Sequence, residues 1–417
     1  MRIPLGAVAL VYALSTAIAC ADDDQLSLGQ AIARVLENNP QLQAADFDAR
    51  AAAARIRQQT EETPWQLGVN VENVAGSGVA KGIDDAETTL SLGRVLELGG
   101  KAGLRGEVAR LQAGQLRHEQ DAERLDLLAE AASRFTALAR VQAQRELAER
   151  QVELMRSTLR DVRRRVDVGK APAAERSRVE IGLARAELAL EETEHLLAVG
   201  RRQLAVLWGE IDADFSGVRA DLMTLAGEPA LDALEQALDS NPALARLATA
   251  ERLADARLQL AQARRHPDWE VNAGVRHFNR SDDVGLMFSL RVPLGSAGRA
   301  APYEEEARLL AEREPLLARD RRLALRATLF ELYQELLHDR DRFETLRDRI
   351  LPAAEQALAD YTRGYNAGRY SLLELTQAQE TLLQARREAI EAATDHHDNR
   401  IQIDRLIGTD PTTGAPR

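Results

Sequence analysis

Few residues of this chain have the type and spacing that catalysis or metal binding requires. Its one cysteine is Cys20, and the 417 residues contain neither the serine turn of the hydrolases nor a zinc-binding motif. Two of the seven histidines stand in the run Asp395-His396-His397-Asp398. Adjacent helical residues point about 100° apart, so they are poorly placed to chelate one ion, and a solvated helix end is the favoured interpretation. We therefore predict that the chain is not an enzyme and has no metal site and no cofactor.

A glycine-rich segment offers a second candidate for chemistry. Gly76-Ser77-Gly78 precedes Lys81-Gly82 and superficially resembles a phosphate-binding loop. It lacks the spacing of that loop, the Ser or Thr after the lysine and the following helix. We interpret it as a connection between two strands. The net charge of −12 disfavours nucleic acid as a partner, because binding to nucleic acid rests on neutralising phosphates.

The first residues indicate export from the cytoplasm. Met1 and Arg2 precede an apolar run over residues 3–18 that is too short to span a membrane and ends in small residues. Residues 1–21 are therefore predicted to be a signal peptide. Cleavage at Ala19-Cys20-Ala21 and lipidation of Cys20 are both open alternatives. No later stretch is apolar over a spanning length, so membrane contact is expected from strands alone.

The chain repeats its own markers about 200 residues apart. Asn39-Pro40 recurs as Asn241-Pro242, and Gly169, Glu175 and Leu207 recur 199 residues later as Gly368, Glu374 and Leu406. A constant offset indicates an internal duplication. We predict a first repeat over residues 22–220, a second over 221–409 and a disordered tail over 410–417.

Each repeat contains two segments with a period of two. Residues 66–74, 88–96, 269–278 and 284–294 alternate between apolar and polar side chains. Their lengths suit tilted strands that cross a bilayer, and aromatic residues stand near their ends at Trp65, Trp269 and Phe278. Ordinary hairpins on a soluble core are the alternative. Four strands cannot close a barrel in lipid, so membrane strands would require an oligomer.

The remaining segments are predicted to be helices, so the fold class is mainly α with a small β part. Residues 107–168 contain no proline and form a rod of roughly 90 Å. It turns back at Gly169, as the second repeat does at Gly368, into antiparallel return helices. Two apolar seams of coiled-coil type follow these rods, and Asp339 interrupts the second as a pore-lining or solvated position. The seams comprise Val152, Met155, Leu159, Val162 and Val166, and Leu336, Asp339, Phe343, Leu346 and Ile350.

This order of parts resembles the TolC-like outer-membrane factors of efflux and secretion systems. The likeness covers essentially the whole mature chain. The run Val95-Leu96-Glu97-Leu98-Gly99-Gly100-Lys101 is most similar to the cobalt-zinc-cadmium branch, and the tip run from Tyr361 to Ala378 is also typical of the family. One departure is the Gly295-Ser296 turn after Val292-Pro293-Leu294, where the branch usually has an acidic, Asn-rich turn.

The resemblance implies a homotrimer with a twelve-stranded β-barrel in the outer membrane of a Gram-negative bacterium and an α-helical tunnel in the periplasm. It further implies passive conduction of cations such as cobalt, zinc or cadmium in a tripartite system with a periplasmic adaptor and an inner-membrane pump of the RND type. Outer-membrane lipid is a further partner. Drug efflux or type I protein secretion is the alternative, and a periplasmic coiled-coil scaffold without a pore is the lower-ranked one.

The resemblance also assigns roles at the helical tips. Adaptor contacts are expected at Val168, Gly169, Lys170, Ala367, Gly368, Arg369 and Ser371. The acidic residues near the tips are candidates for the pore or gate, because two acids per protomer become a ring of six around a threefold axis and attract cations. These candidates are Glu374, Glu175, Asp167 and Asp360.

Overall fold

The structure is a computed structural model, and it describes residues 24–239 and 241–409. The predicted signal peptide, Cys20 and the predicted tail 410–417 lie outside these residues. The elements of the first half are β1 (Gln25–Leu26), α1 (Leu28–Asn38), α2 (Pro40–Thr60), β2 (Gln66–Glu72), β3 (Glu87–Leu96), α3 (Lys101–Asp167), α4 (Ala173–Ala205) and β4 (Gly217–Val218), with short 3-10 turns at Gly78–Ala80 and Val206–Trp208.

The second half repeats the order of the helices and long strands of the first half. Its elements are α5 (Leu231–Leu238), α6 (Pro242–Ala263), β5 (Trp269–Phe278), β6 (Asp283–Arg291), α7 (Ser296–Thr345), a π-helical turn (Leu346–Ile350), α8 (Leu351–Asn366) and α9 (Leu372–Ile407). Among the residues described, no helix is both long and apolar enough to cross a membrane.

The repeated Asn-Pro pair makes the same contacts in both halves. Asn39 caps α2 by accepting hydrogen bonds from the backbone N–H groups of Gln41 and Leu42 at 2.8 and 3.0 Å, and its amide donates to the carbonyl of Leu207 at 2.7 Å. Proline suits the first helical position, where no intrahelical partner for an N–H exists.

In the second half, Asn241 caps α6 by accepting from the N–H of Ala243 at 2.6 Å, and its amide donates to the carbonyl of Leu406. Leu207 and Leu406 are equivalent in the duplication. In each repeat, the asparagine therefore bonds the start of one helix to the end of the return helix.

β2, β3, β5 and β6 form one antiparallel sheet in that order. The strand boundaries differ slightly from prediction. β2 ends at Glu72 rather than residue 74, because Asn73 has a left-handed φ of 59° that turns the chain out of the sheet. β6 ends at Arg291 rather than residue 294, since Pro293 has no N–H to donate to a ladder.

The long helices pack side by side beneath this sheet. α3 has 67 residues and is therefore about 100 Å long. Near the sheet the helices lie in the order α2, α3, α6, α7, and farther away in the order α4, α3, α9, α8. Apolar clusters between them form the core, and the cluster at the far end joins α3 and α4 to α8 and α9.

The predicted seam of the second repeat was wrong at two positions. Asp339 is only 5% exposed and accepts a hydrogen bond from Asn399 at 2.8 Å, so it is neither pore-lining nor solvated. Ile350 is 40% exposed because it lies in the π-helical turn, which rotates it away from the seam. Pro352 follows this turn at the start of α8 and lacks the N–H that a regular helix needs.

The prediction for the pair His396-His397 was also wrong. His396 is 1% exposed, neither ring nitrogen has a hydrogen-bond partner within the described chain, and Nε2 lies 3.7 Å from Oε1 of Glu228. Nε2 of His397 lies 3.0 Å from the carbonyl of Leu222. Burial lowers the pKa of both imidazoles. The prediction of a solvated helix end was wrong, because the segment that joins the repeats covers this face of α9.

Candidate functional site

The two helical tips have the same backbone geometry. Gly169 has a φ of 70° and Gly368 a φ of 72°, a left-handed conformation that favours glycine. The backbone N–H of Lys170 donates to the carbonyl of Arg165 at 2.7 Å, and that of Arg369 to the carbonyl of Gly364 at 2.8 Å. The N–H groups of Gly169 and Gly368 donate to the carbonyls of Val166 and Tyr365 at 3.0 and 2.9 Å, so both long helices end in the Schellman motif common at helix C-termini.

The residues predicted to contact an adaptor are all at the surface of these tips. They are exposed without exception, and Val168 leaves 67% of its surface free. The two turns bring one cationic side chain each, Lys170 and Arg369, to the end of the helical body. The surface of the tips therefore consists of small, cationic and apolar groups.

Just above the tips, one tyrosine joins the two repeats. Tyr365 of α8 is 2% exposed, and its hydroxyl donates to Oε2 of Glu175 on α4 at 3.1 Å. The guanidinium of Arg165 on α3 lies 4.3 Å from the centroid of the Tyr365 ring and donates to the Tyr365 carbonyl. We call Arg165, Glu175 and Tyr365 the tip latch.

The tip latch has the electrostatics of a stable contact. Burial and the neighbouring Glu175 carboxylate raise the pKa of the Tyr365 hydroxyl to about 12, so the hydroxyl keeps its proton at neutral pH. Its bond to a carboxylate is charge-assisted, which makes it stronger than a bond between neutral groups. Arg165 adds a cation over the ring face. The latch thus connects both helices of the first hairpin to the second hairpin.

The other acidic candidates have different surroundings. Glu374 accepts hydrogen bonds from the N–H and hydroxyl of Ser371, both at 2.8 Å, and caps α9. These bonds hold the pKa of Glu374 below its usual value. Asp360 pairs with Arg363 on the same helix, and Asp167 is exposed at the end of α3. Glu175 and Glu374 occupy equivalent sequence positions, yet Glu175 accepts its hydrogen bond from the other repeat, whereas Glu374 accepts its bonds from Ser371 of its own repeat.

Sequence reasoning missed the role of the tip tyrosines. An ideal Cβ at Gly364 would lie 2.0 Å from the ring of Tyr370, so glycine is required for that ring to pack. The Tyr370 ring also lies 4.9 Å from that of Tyr361. The tip run contains both tyrosines and the glycine between them, but their spacing does not reveal which rings meet.

The sheet places its large exposed apolar side chains on one face, together with Arg94 and His277, and Arg276 with its carboxylate partners on the other. Leu286 and Phe288 are each 77% exposed on the apolar face, whereas Thr89 on the polar face is 2% exposed. The apolar face extends across all four strands. Its exposed members are Leu67, Val69, Val71, Leu90, Leu92, Val275, Val284, Leu286, Phe288 and Leu290.

On the polar face, Arg276 links three strands. Its guanidinium donates to Glu72 at 2.8 Å, Glu87 at 2.7 Å and Thr89 at 2.9 Å. One cation therefore faces two carboxylates at the end of the sheet remote from the helices. Within the described parts of the chain, no group of three or more His, Cys, Asp or Glu side chains could hold a metal ion.

Comparison with known proteins connects this geometry to a family. The model of the outer membrane efflux protein family matches residues 31–210 and 233–409. The cobalt-zinc-cadmium resistance protein CzcC of Cupriavidus metallidurans is 25% identical over 321 residues, which cover 77% of each chain. The nickel-cobalt-cadmium resistance protein NccC of Alcaligenes xylosoxydans is 26% identical over 265 residues, 62% of this chain and 59% of that protein.

Solved structures share the fold at lower identity. CusC superposes with a TM-score of 0.78 and 17% identity, covering 93% of both chains. The outer membrane protein VceC of Vibrio cholerae superposes with a TM-score of 0.77 and 18% identity, covering 92% of this chain and 96% of VceC. The duplicated TolC-like fold is therefore confirmed over nearly the whole chain.

Proposed function

Because the chain belongs to the outer membrane efflux protein family, we propose that it is the outer-membrane channel of a tripartite efflux system and passively conducts heavy-metal cations from periplasm to exterior. Three copies would form the channel. Each copy contributes four strands to a twelve-stranded barrel and its long helices to a periplasmic tunnel. The two matched family stretches fall one in each proposed repeat, 22–220 and 221–409.

The observation that carries this proposal is the apolar face of the sheet. Ten large apolar side chains lie exposed on one face of four strands, and an exposed band of this size is unusual on a protein surrounded by water. Outer-membrane lipid is the partner that suits it, since strands of this length with one apolar and one polar face are typical of membrane barrels. The polar face would then line the lumen.

Two further features agree with a barrel in lipid. Trp65 and Trp269 are 62% and 40% exposed, and both stand at the end of the sheet that adjoins the helices, where interfacial aromatic rings are expected. Within the described residues, β2 and β6 each pair with one strand only. Open edges are costly in lipid because backbone groups stay unpaired, and pairing with neighbouring copies removes them.

Heavy-metal cations are the proposed cargo because both curated relatives are metal-resistance proteins. A conduit needs weak and transient contacts with its ion, since a tight site would retain it. Exposed carboxylates such as Glu374 and Asp167 suit such contacts at the tunnel entrance.

The tips would dock the periplasmic adaptor, which connects the channel to an RND pump in the inner membrane. The exposed adaptor candidates and the tip latch lie within the same last turns of the helices. An adaptor bound there is well placed to break the bond between Tyr365 and Glu175, and the gate would open as the second hairpin moves from the first.

A channel is tested by fractionation and conductance. The full chain should partition with the outer membrane, require detergent, migrate as a trimer that heat dissociates, and give discrete conductance steps in planar lipid bilayers. Release by osmotic shock as a water-soluble monomer would contradict the proposal and favour the periplasmic scaffold.

The cargo is tested separately in a deletion strain. We expect the strain to accumulate cobalt, zinc or cadmium and to lose resistance to at least one of them, with recovery on expression of the full chain. Unchanged metal content together with new sensitivity to drugs, or with loss of a secreted protein, would refute the metal assignment and keep the channel.

A further inference from the structure

A buried histidine lies beneath the segment that joins the two repeats. His396 of α9 is 1% exposed, and within the described chain neither of its ring nitrogens has a hydrogen-bond partner. A neutral imidazole has one N–H donor and one acceptor, and leaving both buried and unpaired costs free energy. Such groups are rare in folded proteins, and this one belongs neither to the tips nor to the sheet.

The segment that covers this histidine consists of residues 221–228, and we call it the strap. It contains neither helix nor strand, and side chains of α9 hold its backbone. Nε2 of His397 lies 3.0 Å from the carbonyl oxygen of Leu222, and Arg400 donates to the carbonyl of Gly227 at 3.3 Å. The strap is therefore attached to α9 near both of its ends.

Glu228 connects the end of the strap to His396 and to α7. Its Oε2 accepts a hydrogen bond from Arg340 at 2.8 Å, and its Oε1 lies 3.7 Å from Nε2 of His396. The acid that faces His396 is thus already paired with a cation. The ring centroids of His396 and His397 are 5.8 Å apart. A proton on His396 would therefore add a buried charge beside Arg340 and a second imidazole.

The other carboxylates around the histidine pair have cations of their own or lie in solvent. Asp404 pairs with Arg400 at 3.1 Å, and Asp395 lies 3.6 Å from Arg342 of α7. Asp221 of the strap is exposed. None of these three acids is therefore placed to compensate a new charge on His396.

Both imidazoles are held neutral in the folded chain. Burial, followed by the neighbouring His397, lowers the pKa of His396, and Glu228 opposes this by a smaller amount. Burial also lowers the pKa of His397. A histidine whose pKa is lowered on folding contributes stability that is present above its ordinary pKa of about 6.5 and is lost as the pH falls below that value.

The strap also covers the π-helical turn between α7 and α8. Leu222 is 8% exposed and belongs to the same apolar cluster as Phe343 and Leu346, the first residue of the turn. Leu222 and Met223 line a cavity of about 460 Å³ together with Arg347 of the turn. Helices bend preferentially at such turns. Loosening of the strap would therefore free the point where α7 passes into α8.

We propose that acid releases the strap from the π-helical turn, and that His396 and His397 are the groups that respond. Above about pH 6.5 both imidazoles are neutral and the strap stays in place. At lower pH the open form binds protons that the closed form excludes, so opening becomes more favourable. All of these contacts lie within one copy, and the inference is independent of the proposed channel and of its cargo.

Hydrogen exchange read by mass spectrometry tests the release in the purified full-length protein. A histidine that is neutral when covered and has an ordinary pKa when exposed favours the open form by about 10- to 30-fold at pH 5. Strap amides of the wild type should therefore exchange about 10- to 30-fold faster than those of H396F at pH 5, and at a similar rate at pH 7.5. Amides of the π-helical turn should follow the strap.

Two further replacements and one control separate titration from packing. H396Q is a second neutral replacement, and H397Q keeps a neutral donor for the Leu222 carbonyl, so both should slow exchange of the strap at pH 5. H195Q is the matched control, because the side chain of His195 on α4 is 79% exposed. Its strap should exchange as in the wild type.

Comparison at equal pH between segments is the deciding measure. Total stability is unsuitable, because burial raises the pKa of Asp398 to about 6 and this group acts in the opposite direction. Equal exchange of the strap at pH 5 in the wild type, H396F and H396Q would overturn the proposal. Exchange of β3 and β5 amides at the same rate as the strap would also overturn it, because acid would then unfold the whole chain.

Discussion

The tip latch makes a quantitative prediction about gating. Tyr365→Phe removes one hydroxyl and the 3.1 Å hydrogen bond to Glu175, while the ring and the contact with Arg165 stay. A hydrogen bond to a charged group contributes about 1.5–3 kcal/mol, and the partial exposure of Glu175 reduces this to about 1–2 kcal/mol. That energy corresponds to a shift in the opening equilibrium of about 5- to 30-fold per protomer.

The assay is single-channel recording in planar bilayers with the purified oligomer. The Y365F channel should show a higher open probability or larger conductance steps than the wild type at neutral pH. Tyr370→Phe is the matched control, because Tyr370 belongs to the same tip, is 42% exposed and packs through its ring against Tyr361. Its channel should behave as the wild type.

One result would refute this reasoning. If Y365F and Y370F channels were indistinguishable from wild type, with equal amounts of folded oligomer, the contact between Tyr365 and Glu175 would not hold the gate. A change in Y370F alone would locate the gate at the ring pair rather than at the latch.

Three further predictions concern stability and localisation. Asn39→Ala and Asn241→Ala each remove a helix cap and a bond to a distant carbonyl, and each should lower the free energy of unfolding by a similar amount, about 1–2 kcal/mol, in denaturant titrations. Burial raises the pKa of the Asp398 carboxyl to about 6 from 3.8. Ionisation of this carboxyl therefore lowers the free energy of unfolding above pH 6, and the loss is recovered as the pH falls toward 4. D398N should raise the free energy of unfolding by about 1–3 kcal/mol at pH 8 and leave it unchanged at pH 4, as measured in thermal melts. C20S should leave outer-membrane localisation unchanged in fractionation. Leu26 of β1 belongs to the same apolar cluster as Phe135, which lies about 50 Å along α3 from the sheet, and the five residues from Cys20 to β1 span at most about 17 Å.

Much of the fold can be predicted from local sequence patterns. Alternation with a period of two located all four strands of the sheet to within three residues, because each side chain of a strand faces the side opposite its neighbour. Gly169 and Gly368 located both tips, since a left-handed turn between helices favours glycine. The constant offset of 199 residues related the two halves before any contact was known.

Other features depend on packing between distant segments. Asp339 and His396 are polar and lie on long helices, where solvated positions are usual, yet both are buried. Asp339 meets Asn399, and His396 is covered by the segment around Glu228. No local period encodes a contact between residues so far apart in the chain, and both predictions therefore failed.

The same distinction applies to the functional parts of the molecule. Residue types and spacing alone predicted an exported, duplicated chain with membrane strands and long hairpins, because helical and strand periods are properties of neighbouring residues. The tip latch joins Arg165, Glu175 and Tyr365 from three helices, and no local sequence pattern indicates that these side chains meet. Such features arise from the way the two repeats pack against each other, and that arrangement exists only in the folded chain.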